Sequence, residues 1–394
     1  MKKKSPQAYL TAVILIAVTA FGLNIFQHQK SLLLIWLIGL AIGFVLYRSG
    51  FCFTTAYSNA VLFRDFSMVR AVLILLFVSL VGIYFIQFYA HLNGGIIPGK
   101  LHSVGIHTIA GGFLFGLGMI LAGGCASGTL QRIGEGFLLF WFVLCGMVFG
   151  SVAGAGHFSW WVNNLYSWKP VFLPDVFGWA AGGIFSAAAL GGIYYLTVTI
   201  EGPKTDKKIV RKPDVTLQEQ LLRGHWPPWV GGILLGVLNV LLTAVYKPWG
   251  IAGDIADWGF RIWAVLGGHP ELWDEYFREV GHCFLEKNPV YNGDTVLNTG
   301  LVVGVLLATA LAGEFRFKRI KSGRQLILGL AGGVLMGYGA RLALGCNVGA
   351  LLGGIASQSL HGWVFGFFLI FGALTGLIIV QYCVTKTKQS SFTG

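Results

Sequence analysis

Charged residues are scarce in this chain, and acidic ones are the scarcest. Only 11% of its 394 residues are charged, whereas 55% are apolar and the mean hydropathy is +0.71. This composition is typical of a polytopic membrane protein and excludes an ordinary soluble core. The net charge of +12 comes from short basic clusters between apolar runs. We interpret it as the positive-inside bias of a membrane protein, and we expect no nucleic-acid partner.

The sequence also lacks paired cysteines. Its six cysteines form no C-x-x-C motif, and all but Cys283 lie in or beside apolar runs. This spacing argues against a disulfide framework or a structural zinc site, and no mid-membrane histidine pair is present to hold haem. We therefore expect no metal and no cofactor. Cys145 and Cys383 are expected to pack as small apolar side chains, and Cys283 is assigned no role.

Ten apolar runs predict an all-α polytopic membrane protein of about ten transmembrane helices. Alternate loops between the runs, together with the two termini, hold twenty of the 28 basic residues, which predicts that both termini are cytoplasmic. Lys2 to Lys4 precede a run that we interpret as an uncleaved first helix rather than a signal peptide. The runs cover roughly residues 8–26, 32–47, 71–90, 108–123, 137–156, 176–198, 227–245, 294–312, 326–343 and 362–383.

One glycine-rich element occurs twice. AGGFLFGLGMILAGGC at 110–125 returns as AGGVLMGYGARLALGC at 331–346, with ten of sixteen positions identical and an offset of 221 residues. With ten spans, the fourth and the ninth cross the membrane in opposite directions. The repeat therefore predicts two inverted structural repeats, an arrangement in which glycine-broken short segments mark a transport site near the midplane.

The repeat also predicts how the chain is organised. Residues 1–31 would form an additional N-terminal transmembrane helix, and 32–157 the first inverted repeat. Residues 158–226 would hold a connecting helix and a basic cytoplasmic linker, and 227–394 the second repeat. The long aromatic segment 246–292 is expected to lie along the outer interface or to re-enter the membrane partly.

Both copies of the element end on Gly-Cys after spans that are short for a membrane crossing. A crossing helix needs about twenty residues, so a glycine-flanked short span indicates that the chain stops, turns and starts a new helix. The free amides at a helix N-terminus form an anion site by geometry and dipole. We therefore take as candidate pathway residues Gly124, Cys125, Ser127, Gly345, Cys346 and Asn347.

Arg341 is a further candidate because it lies inside the second copy, where the first copy has Ile120. A buried arginine in a membrane is costly and usually faces a partner or a pathway. No acidic residue lies in that span, so its partner is either a distant carboxylate such as Glu135 or Asp65, or a bound anion. Bracing of backbone carbonyls at the broken helix is an equally good interpretation.

A third cysteine, Cys52, lies in the stretch GFCFTTAYSNAVLFRD at 50–65, which we interpret as a re-entrant or interfacial segment. Its counterpart in the second half, near residues 248–250, has no cysteine. This stretch, together with GGCASG and GARLALGCN, resembles the signatures of the YeeE/YedE sulfur-transport family. The resemblance extends over most of the chain, from about residue 36 to residue 383.

The resemblance implies a bacterial inner-membrane permease with an hourglass fold of inverted repeats and short helices at a constriction. It implies that Cys52, Cys125 and Cys346 pass thiosulfate inward through S–H hydrogen bonds. Because this chain is longer than compact thiosulfate-transporting members, and longer relatives are associated with selenium metabolism, the anion is either thiosulfate or a similar sulfur or selenium compound. The resemblance also implies a small cytoplasmic sulfur-carrier protein as a partner.

Two other functions are compatible with the residues. A membrane sulfurtransferase or oxidoreductase would use one cysteine to form a persulfide, but the lack of paired cysteines argues against redox chemistry. A purely structural membrane subunit would have no use for an intramembrane arginine and thiols. The prediction is therefore a permease rather than an enzyme, embedded in the lipid bilayer, that binds a small sulfur- or selenium-containing anion.

Overall fold

The computed structural model describes residues 6–201, 224–280 and 291–390. Within these ranges the chain is almost entirely helical, and nine helical stretches are long and apolar enough to cross a membrane. A further apolar stretch, Thr11–Gln27, lies near the N-terminus. The prediction of an all-α polytopic membrane protein is confirmed, and the described spans follow the apolar runs of the sequence.

The first part of the chain contains nine helices and one short strand pair. The strands β1 (Val104–Gly105) and β2 (Ser167–Trp168) are antiparallel and join two loops. The helices are α1 (Pro6–His28), α2 (Lys30–Ser49), α3 (Phe53–Phe63), α4 (Ser67–Leu92), α5 (Ile106–Ala122), α6 (Ala126–Gly134), α7 (Leu139–Asn164), α8 (Leu173–Phe177) and α9 (Trp179–Glu201).

The second part contains seven described α-helices, with a 3-10 turn at Pro270–Trp273 and a π-helical segment at Asn347–Leu352. The α-helices are α10 (Pro228–Val245), α11 (Ala252–Val265), α12 (Asp274–Val280), α13 (Gly293–Ala312), α14 (Gly323–Leu342), α15 (Gly353–Ala356) and α16 (Leu360–Ser390).

The two copies of the glycine-rich element, α5 and α14, cross at the centre in opposite directions. Gly111 lies against the backbone of Gly339 and Ala343, and Gly118 lies against the backbone of Gly332. A methyl group at Gly111, Gly118, Gly332 or Gly339 would come within 2.6 Å of a backbone atom of the other helix. Only glycine permits this close approach, which is the small-residue packing expected between membrane helices.

Each of these two helices also pairs in parallel with a long helix from the other part of the chain. Gly112 and Gly116 of α5 lie against the carbonyls of Phe365 and Leu369 on α16. The corresponding glycines of α14 lie against carbonyls of α7, and α2 and α4 pair with α13 and α10 in the same way. The helices α2, α4, α5 and α7 therefore have their main partners after residue 228.

Both copies of the element break where the sequence predicts. The α5 helix ends at Gly123, which has a φ of +73° and closes the last turn with hydrogen bonds to Ile120 and Met119. The α14 helix ends at Ala343, and Leu344 then adopts a φ of +52°. Because Gly111 lies against Ala343 and Gly332 lies against Ala122, the two breaks are at opposite ends of the crossing.

The segment that follows α10 folds back onto the helices. The α11 helix packs its apolar face against α7, where Gly259 contacts Val148 and Val152. Trp273 and Tyr276 are buried in a small apolar cluster with Phe260 and Phe158. Residues 251–260 are therefore largely buried against the helices, whereas Ile262, Val265 and Leu266 are exposed. The segment brings Tyr276 into contact with Arg341 and places Asp254 in the wall of the same cavity.

Candidate functional site

Three cysteines occupy equivalent positions in the fold. Cys52, Cys125 and Cys346 are the N-cap residues of α3, α6 and the π-helical segment respectively, and each has extended backbone. The first-turn amides of a helix lack intrahelical partners and carry a partial positive charge. Each thiol therefore lies at the positive end of a short helix. For Cys125 and Cys346 this placement agrees with the helix restarts that the sequence predicts.

Cys52 and Cys125 face each other across Gly128 of α6. A methyl group at Gly128 would lie 3.4 Å from Cys52 Sγ and 3.7 Å from Cys125 Sγ. Cys125 is fully buried, and its sulfur lies 3.2 Å from the hydroxyl of Ser127. The structure therefore brings three predicted site elements, Cys52, Cys125 and Ser127, together around one glycine.

A cavity of about 300 Å³ opens beside Cys52. We call it the Arg132 cavity. Gly124 and Gly128 form part of its wall. Its charged lining residues are Arg132, Glu135, Glu314 and Lys318. Arg132 lies 3.6 Å from Glu135, and Lys318 lies over the ring of Phe137 at 3.9 Å. Burial raises the pKa of the Glu135 carboxyl. The remaining titratable side chains of the lining are Tyr47 and His225.

A second and larger cavity, of about 500 Å³, reaches Cys346. We call it the Lys100 cavity. Gly345, Cys346 and Gly349 line its inner end. Its walls carry two lysines, one histidine, one arginine and three carboxylates. These side chains come from the loops before α5 and α11 and from the helices α11 to α14. The charged or titratable lining residues are Lys100, His102, Tyr246, Lys247, Asp254, Tyr276, Glu279, Asp294, Arg341 and Cys346.

Lys100 is held in this cavity by backbone contacts. Its Nζ donates to the carbonyl of Trp249 at 3.0 Å, and its amide donates to the hydroxyl of Ser357. A methyl group at Gly349 would lie 3.5 Å from the same Nζ, so the ammonium group lies beside the π-helical segment that Cys346 starts. Burial lowers the pKa of Lys100 to about 8. The charge of this lysine is therefore sensitive to pH near the physiological range.

Arg341 lines the same cavity and is only 2% exposed. Its Nη1 donates to the hydroxyl of Tyr276 on α12, and its guanidinium carbon lies 5.6 Å from the centre of that ring. Its Nε has no hydrogen-bond partner among the described residues. Glu135 lines the other cavity and pairs with Arg132, so the proposed partnership of Arg341 with Glu135 is wrong.

Two histidines hold the broken end of α14. Nδ1 of His107 donates to the carbonyl of Leu342 at 2.8 Å, and Nε2 of His361 donates to the carbonyl of Ala343 at the same distance. Carbonyl oxygens only accept hydrogen bonds, so these ring nitrogens carry the protons. The free carbonyls of a helix C-terminus are thus satisfied from α5 and α16, which lets the chain turn toward Cys346.

Gly124, Gly345 and Asn347 pack closely at the two places where the helices break. A methyl group at Gly124 would meet the ring of Phe140 at 2.8 Å, and one at Gly345 would meet the amide of Ala350 at 2.6 Å. Asn347 is 1% exposed, donates to the sulfur of Met119 at 3.5 Å and leaves its amide oxygen without a partner among the described residues. Asn347 lines neither cavity.

The remaining cysteines differ from expectation in one case. Cys145 is exposed on the outer face of α7, so the prediction that it packs inside is wrong. Its position follows from α7 pairing with α14 through the opposite face, which carries Gly146 and Gly150. Cys283 and the side chain of Cys383 lie outside the described residues.

Several cavity residues escape sequence reasoning. Lys100, Lys247 and Tyr276 lie in loops or short helices that no hydrophobic period marks, and only the fold brings them to Cys346. His107 and His361 are each the second residue of a long apolar helix. A polar side chain at the start of such a helix is the one signal that could have singled them out, because a polar group that enters the membrane needs a partner.

The fold and the site define a polytopic helical membrane protein with two charged cavities, one that reaches Cys52 and one that reaches Cys346. The sequence pattern of the sulphur transport family matches residues 48–375, so the chain belongs to that family. It is 29% identical over 372 residues to the thiosulfate transporter TsuA of Spirochaeta thermophila, which covers 87% of this chain and 98% of the relative.

Two further relatives support this placement. TsuA of Escherichia coli, also a thiosulfate transporter, is 28% identical over 346 residues, which cover 87% of this chain and 92% of the relative. The probable transporter YedE of Salmonella typhimurium is 32% identical over 152 residues, which cover 38% of this chain and 37% of the relative. These relatives are named as transporters and not as enzymes, in agreement with the predicted permease.

Proposed function

We propose that this protein imports thiosulfate, or a similar small sulfur-containing anion, across the bacterial inner membrane. The observation that carries the proposal is the placement of the three N-cap thiols. Cys346 is at the inner end of the Lys100 cavity, Cys52 is in the wall of the Arg132 cavity, and the buried Cys125 lies next to Cys52. The names of the two full-length relatives supply the substrate class.

In this proposal the anion enters through the Lys100 cavity. Lys100, Lys247 and Arg341 give that cavity three cationic groups, which raise the local concentration of an anion. No group among the described residues pairs with Arg341 Nε, so this nitrogen can donate to the anion while Tyr276 holds Nη1. Because the cavity surrounds these groups with protein, their attraction is screened less than it would be at an open surface.

The thiols then pass the anion through the narrow centre. A neutral S–H group is a weak donor and the sulfur is a weak acceptor, so each contact orients the anion without trapping it. Each thiol lies at the positive end of a short helical segment, which offsets part of the cost of removing the anion from water. Gly124, Gly345, Ser127 and Asn347 keep the broken backbone in the conformation that presents Cys125 and Cys346.

We assign the Arg132 cavity to the cytoplasmic side. Arg132 and Lys318 line this cavity and belong to the basic loops for which the positive-inside rule predicts a cytoplasmic location. The same rule predicts that both chain termini are cytoplasmic. Exit of the anion there would bring it to a small cytoplasmic sulfur-carrier protein, if the chain has the partner that its sequence signatures imply. A selenium-containing anion is a second possible cargo, because its size and charge are similar.

We also propose that residues 32–157 and 227–394 are inverted repeats, with 1–31 and 158–226 as the additional helix and the connecting segment. The antiparallel crossing of α5 and α14 supports this division, as does the pairing of Gly111 with Gly339 and of Gly118 with Gly332. These four glycines occupy two equivalent positions in the two copies of the element. A two-fold axis between the copies would produce such reciprocal contacts.

The experiment is uptake of radiolabelled thiosulfate into proteoliposomes that contain the purified protein. We expect uptake above that of empty liposomes, competition by unlabelled thiosulfate, and recovery of the label inside as unchanged thiosulfate. Parallel measurements with sulfite and selenite define the cargo. Label recovered as sulfite or as protein-bound sulfur would instead indicate the membrane thiol enzyme, and absence of uptake of all three anions would refute the permease.

A further inference from the structure

Asp254 is a carboxylate in the wall of the Lys100 cavity that the proposed permeation path does not use. It lies in the first turn of α11 and is 2% exposed. The same cavity holds Lys100, Arg341 and Cys346. A charge bound at Asp254 would therefore be close enough to influence an anion in this cavity.

Two neighbouring aspartates have basic partners, whereas Asp254 has neutral ones. Asp257 accepts a hydrogen bond from Arg261 Nε at 3.0 Å, and Asp294 pairs with Lys247 Nζ at 2.6 Å. The two oxygens of Asp254 instead accept from the hydroxyl of Thr295 at 2.6 Å and from Nδ2 of Asn298 at 2.9 Å. Burial of an ionised carboxylate without a cationic partner is costly, which favours its protonated form.

The neutral partners of Asp254 suit both of its protonation states. A hydroxyl can donate or accept, so Thr295 can serve a carboxylate or a carboxylic acid. Asn298 leaves its Oδ1 without a partner among the described residues, although the side chain is 1% exposed. Rotation of this amide by half a turn would present the oxygen to a protonated Asp254. An arginine or lysine partner could not make this exchange.

The charged surroundings act on Asp254 from several elements. Asp257 on its own helix and Asp294 on α13 both repel its charge, and burial together with this repulsion raises its pKa to about 7. The face of α7 that packs on α11 is apolar, with Val148 and Val152 against Gly259. The other titratable groups of the cavity around it are Lys100, His102, Tyr246, Lys247, Tyr276, Glu279, Arg341 and Cys346.

We propose that Asp254 is a proton-binding site linked to anion binding in the Lys100 cavity, so that the anion and a proton are bound together. The inference rests on the proposed import function. A proton on Asp254 removes a negative charge from the cavity, so the cavity binds an anion more tightly. Because coupling between two binding sites is reciprocal, a bound anion raises proton affinity by the same factor.

Such coupling has a physical use for the proposed cargo. The interior of a respiring cell is electrically negative, and each negative charge that enters moves against the membrane potential. A proton that enters with a divalent anion reduces the transported charge from two to one, and the inward proton gradient adds a driving force. The buried carboxylate in the entry cavity would thus link uptake to the energy stored across the membrane.

The test measures thiosulfate affinity by titration calorimetry at pH 6.0 and pH 8.0, in buffers with different protonation enthalpies. For the unchanged protein we expect affinity about tenfold weaker at pH 8.0, within the usual range of coupling between sites, and net uptake of protons on binding. Asp254→Asn should bind with similar affinity at both pH values, within about twofold. The matched control Asp257→Asn should keep the pH dependence with its midpoint moved slightly toward acid, since Asp257 acts on Asp254 only by repulsion and does not line the cavity.

Equal affinity at both pH values in the unchanged protein would overturn the proposal, as would full pH dependence in Asp254→Asn. A requirement for Na⁺ when choline salts are the alternative would also overturn it, because Asp254 would then hold a metal cation. The infrared band of a buried carboxylic acid that titrates in the unchanged protein and is missing from Asp254→Asn tests protonation without thiosulfate. If the band titrates but no thiosulfate binds, the import function fails and the proton site stands. If thiosulfate binds but no band titrates, the proton site fails alone.

Discussion

The hydroxyl of Tyr276 accepts a hydrogen bond from Arg341, and this bond ties α12 to the last turn of α14 directly before that helix breaks. Arg341 thereby has a neutral bracing partner and keeps its positive charge uncompensated by any described ion pair. The two functions open to this arginine, attraction of the anion and bracing of the break, can be separated because one partner is a phenol.

Replacement of Arg341 should reveal which function dominates. Arg341→Gln should lower thiosulfate uptake by about tenfold, because a hydrogen bond to a charged group contributes about 1.5–3 kcal/mol. Tyr276→Phe keeps the ring and removes only the hydroxyl, so it should lower the melting temperature slightly and leave uptake within about twofold. Uptake in proteoliposomes and thermal unfolding in detergent are the two measurements. Equal loss of uptake in both variants would show that bracing is the main function.

Replacement of each N-cap cysteine should slow uptake without abolishing it. Cys52→Ser, Cys125→Ser and Cys346→Ser keep the side-chain size but substitute a harder hydroxyl for the thiol. Loss of one weak hydrogen bond, worth about 1 kcal/mol, should reduce the rate about five-fold in each variant. Uptake is measured per amount of reconstituted protein, with Cys145→Ser as the control because that thiol is exposed on α7.

The pattern across the three variants is decisive. Normal uptake in the Cys125 and Cys346 variants would refute the thiol relay and leave those residues as packing groups. Complete loss at one position alone, with a trapped persulfide on the corresponding cysteine of the unchanged protein, would favour an enzyme.

A single methyl group at Gly128 should narrow the path between two thiols. In Gly128→Ala the new carbon would lie 3.4 Å from Cys52 Sγ and 3.7 Å from Cys125 Sγ, which is ordinary contact and leaves the fold intact. We expect roughly tenfold slower uptake, about 1.4 kcal/mol, because overpacking of a filled site costs about 1–3 kcal/mol.

Gly192→Ala on α9 is the matched control for this variant, since nothing lies within 4 Å of the added methyl group. Both variants should have unfolding temperatures close to that of the unchanged protein. Unimpaired uptake in Gly128→Ala would mean that the anion does not pass between Cys52 and Cys125.

The charge of Lys100 should set an alkaline limit on uptake. Burial lowers the pKa of Lys100 to about 8, so the ammonium form that attracts an anion is present below that value and is lost as the pH rises through it. The rate of uptake at low thiosulfate concentration should therefore fall between about pH 7 and pH 9. In the Asp254→Asn background, where the proposed proton linkage is absent, Lys100→Gln should start from a lower rate and lack this decline, which a pH series in proteoliposomes measures. An unchanged alkaline decline in the variant would place the titrating group elsewhere.

The backbone breaks could be predicted because their causes are local. Glycines before Cys125 and Cys346 permit the turn, and spans too short for the bilayer require it, so composition and length suffice. The all-helical fold follows from apolar runs for the same reason. For Cys52 the sequence predicts only a re-entrant or interfacial segment, and its N-cap position after Gly50, whose φ is +58°, is a finding of the structure.

The walls of the Lys100 cavity could not be predicted, because they depend on contacts between segments far apart in the chain. Lys100 reaches the cavity only because Trp249 supplies a carbonyl 149 residues away. Tyr276 meets Arg341 only because α12 packs into an aromatic cluster beside α7. Asp254 looks like an ordinary loop carboxylate in the sequence, and its burial arises from the packing of α11 against α7 and α13.

The cross-pairing of helices has a consequence for biogenesis. The helices α2, α4, α5 and α7 place their glycine faces against helices that the ribosome has not yet made when the first ones enter the bilayer. Until the later segments arrive, those faces meet lipid or one another without their native partners. Productive assembly is thus a late event that waits for nearly the whole chain, and a product that stops after residue 201 would present unmatched glycine surfaces to membrane quality control.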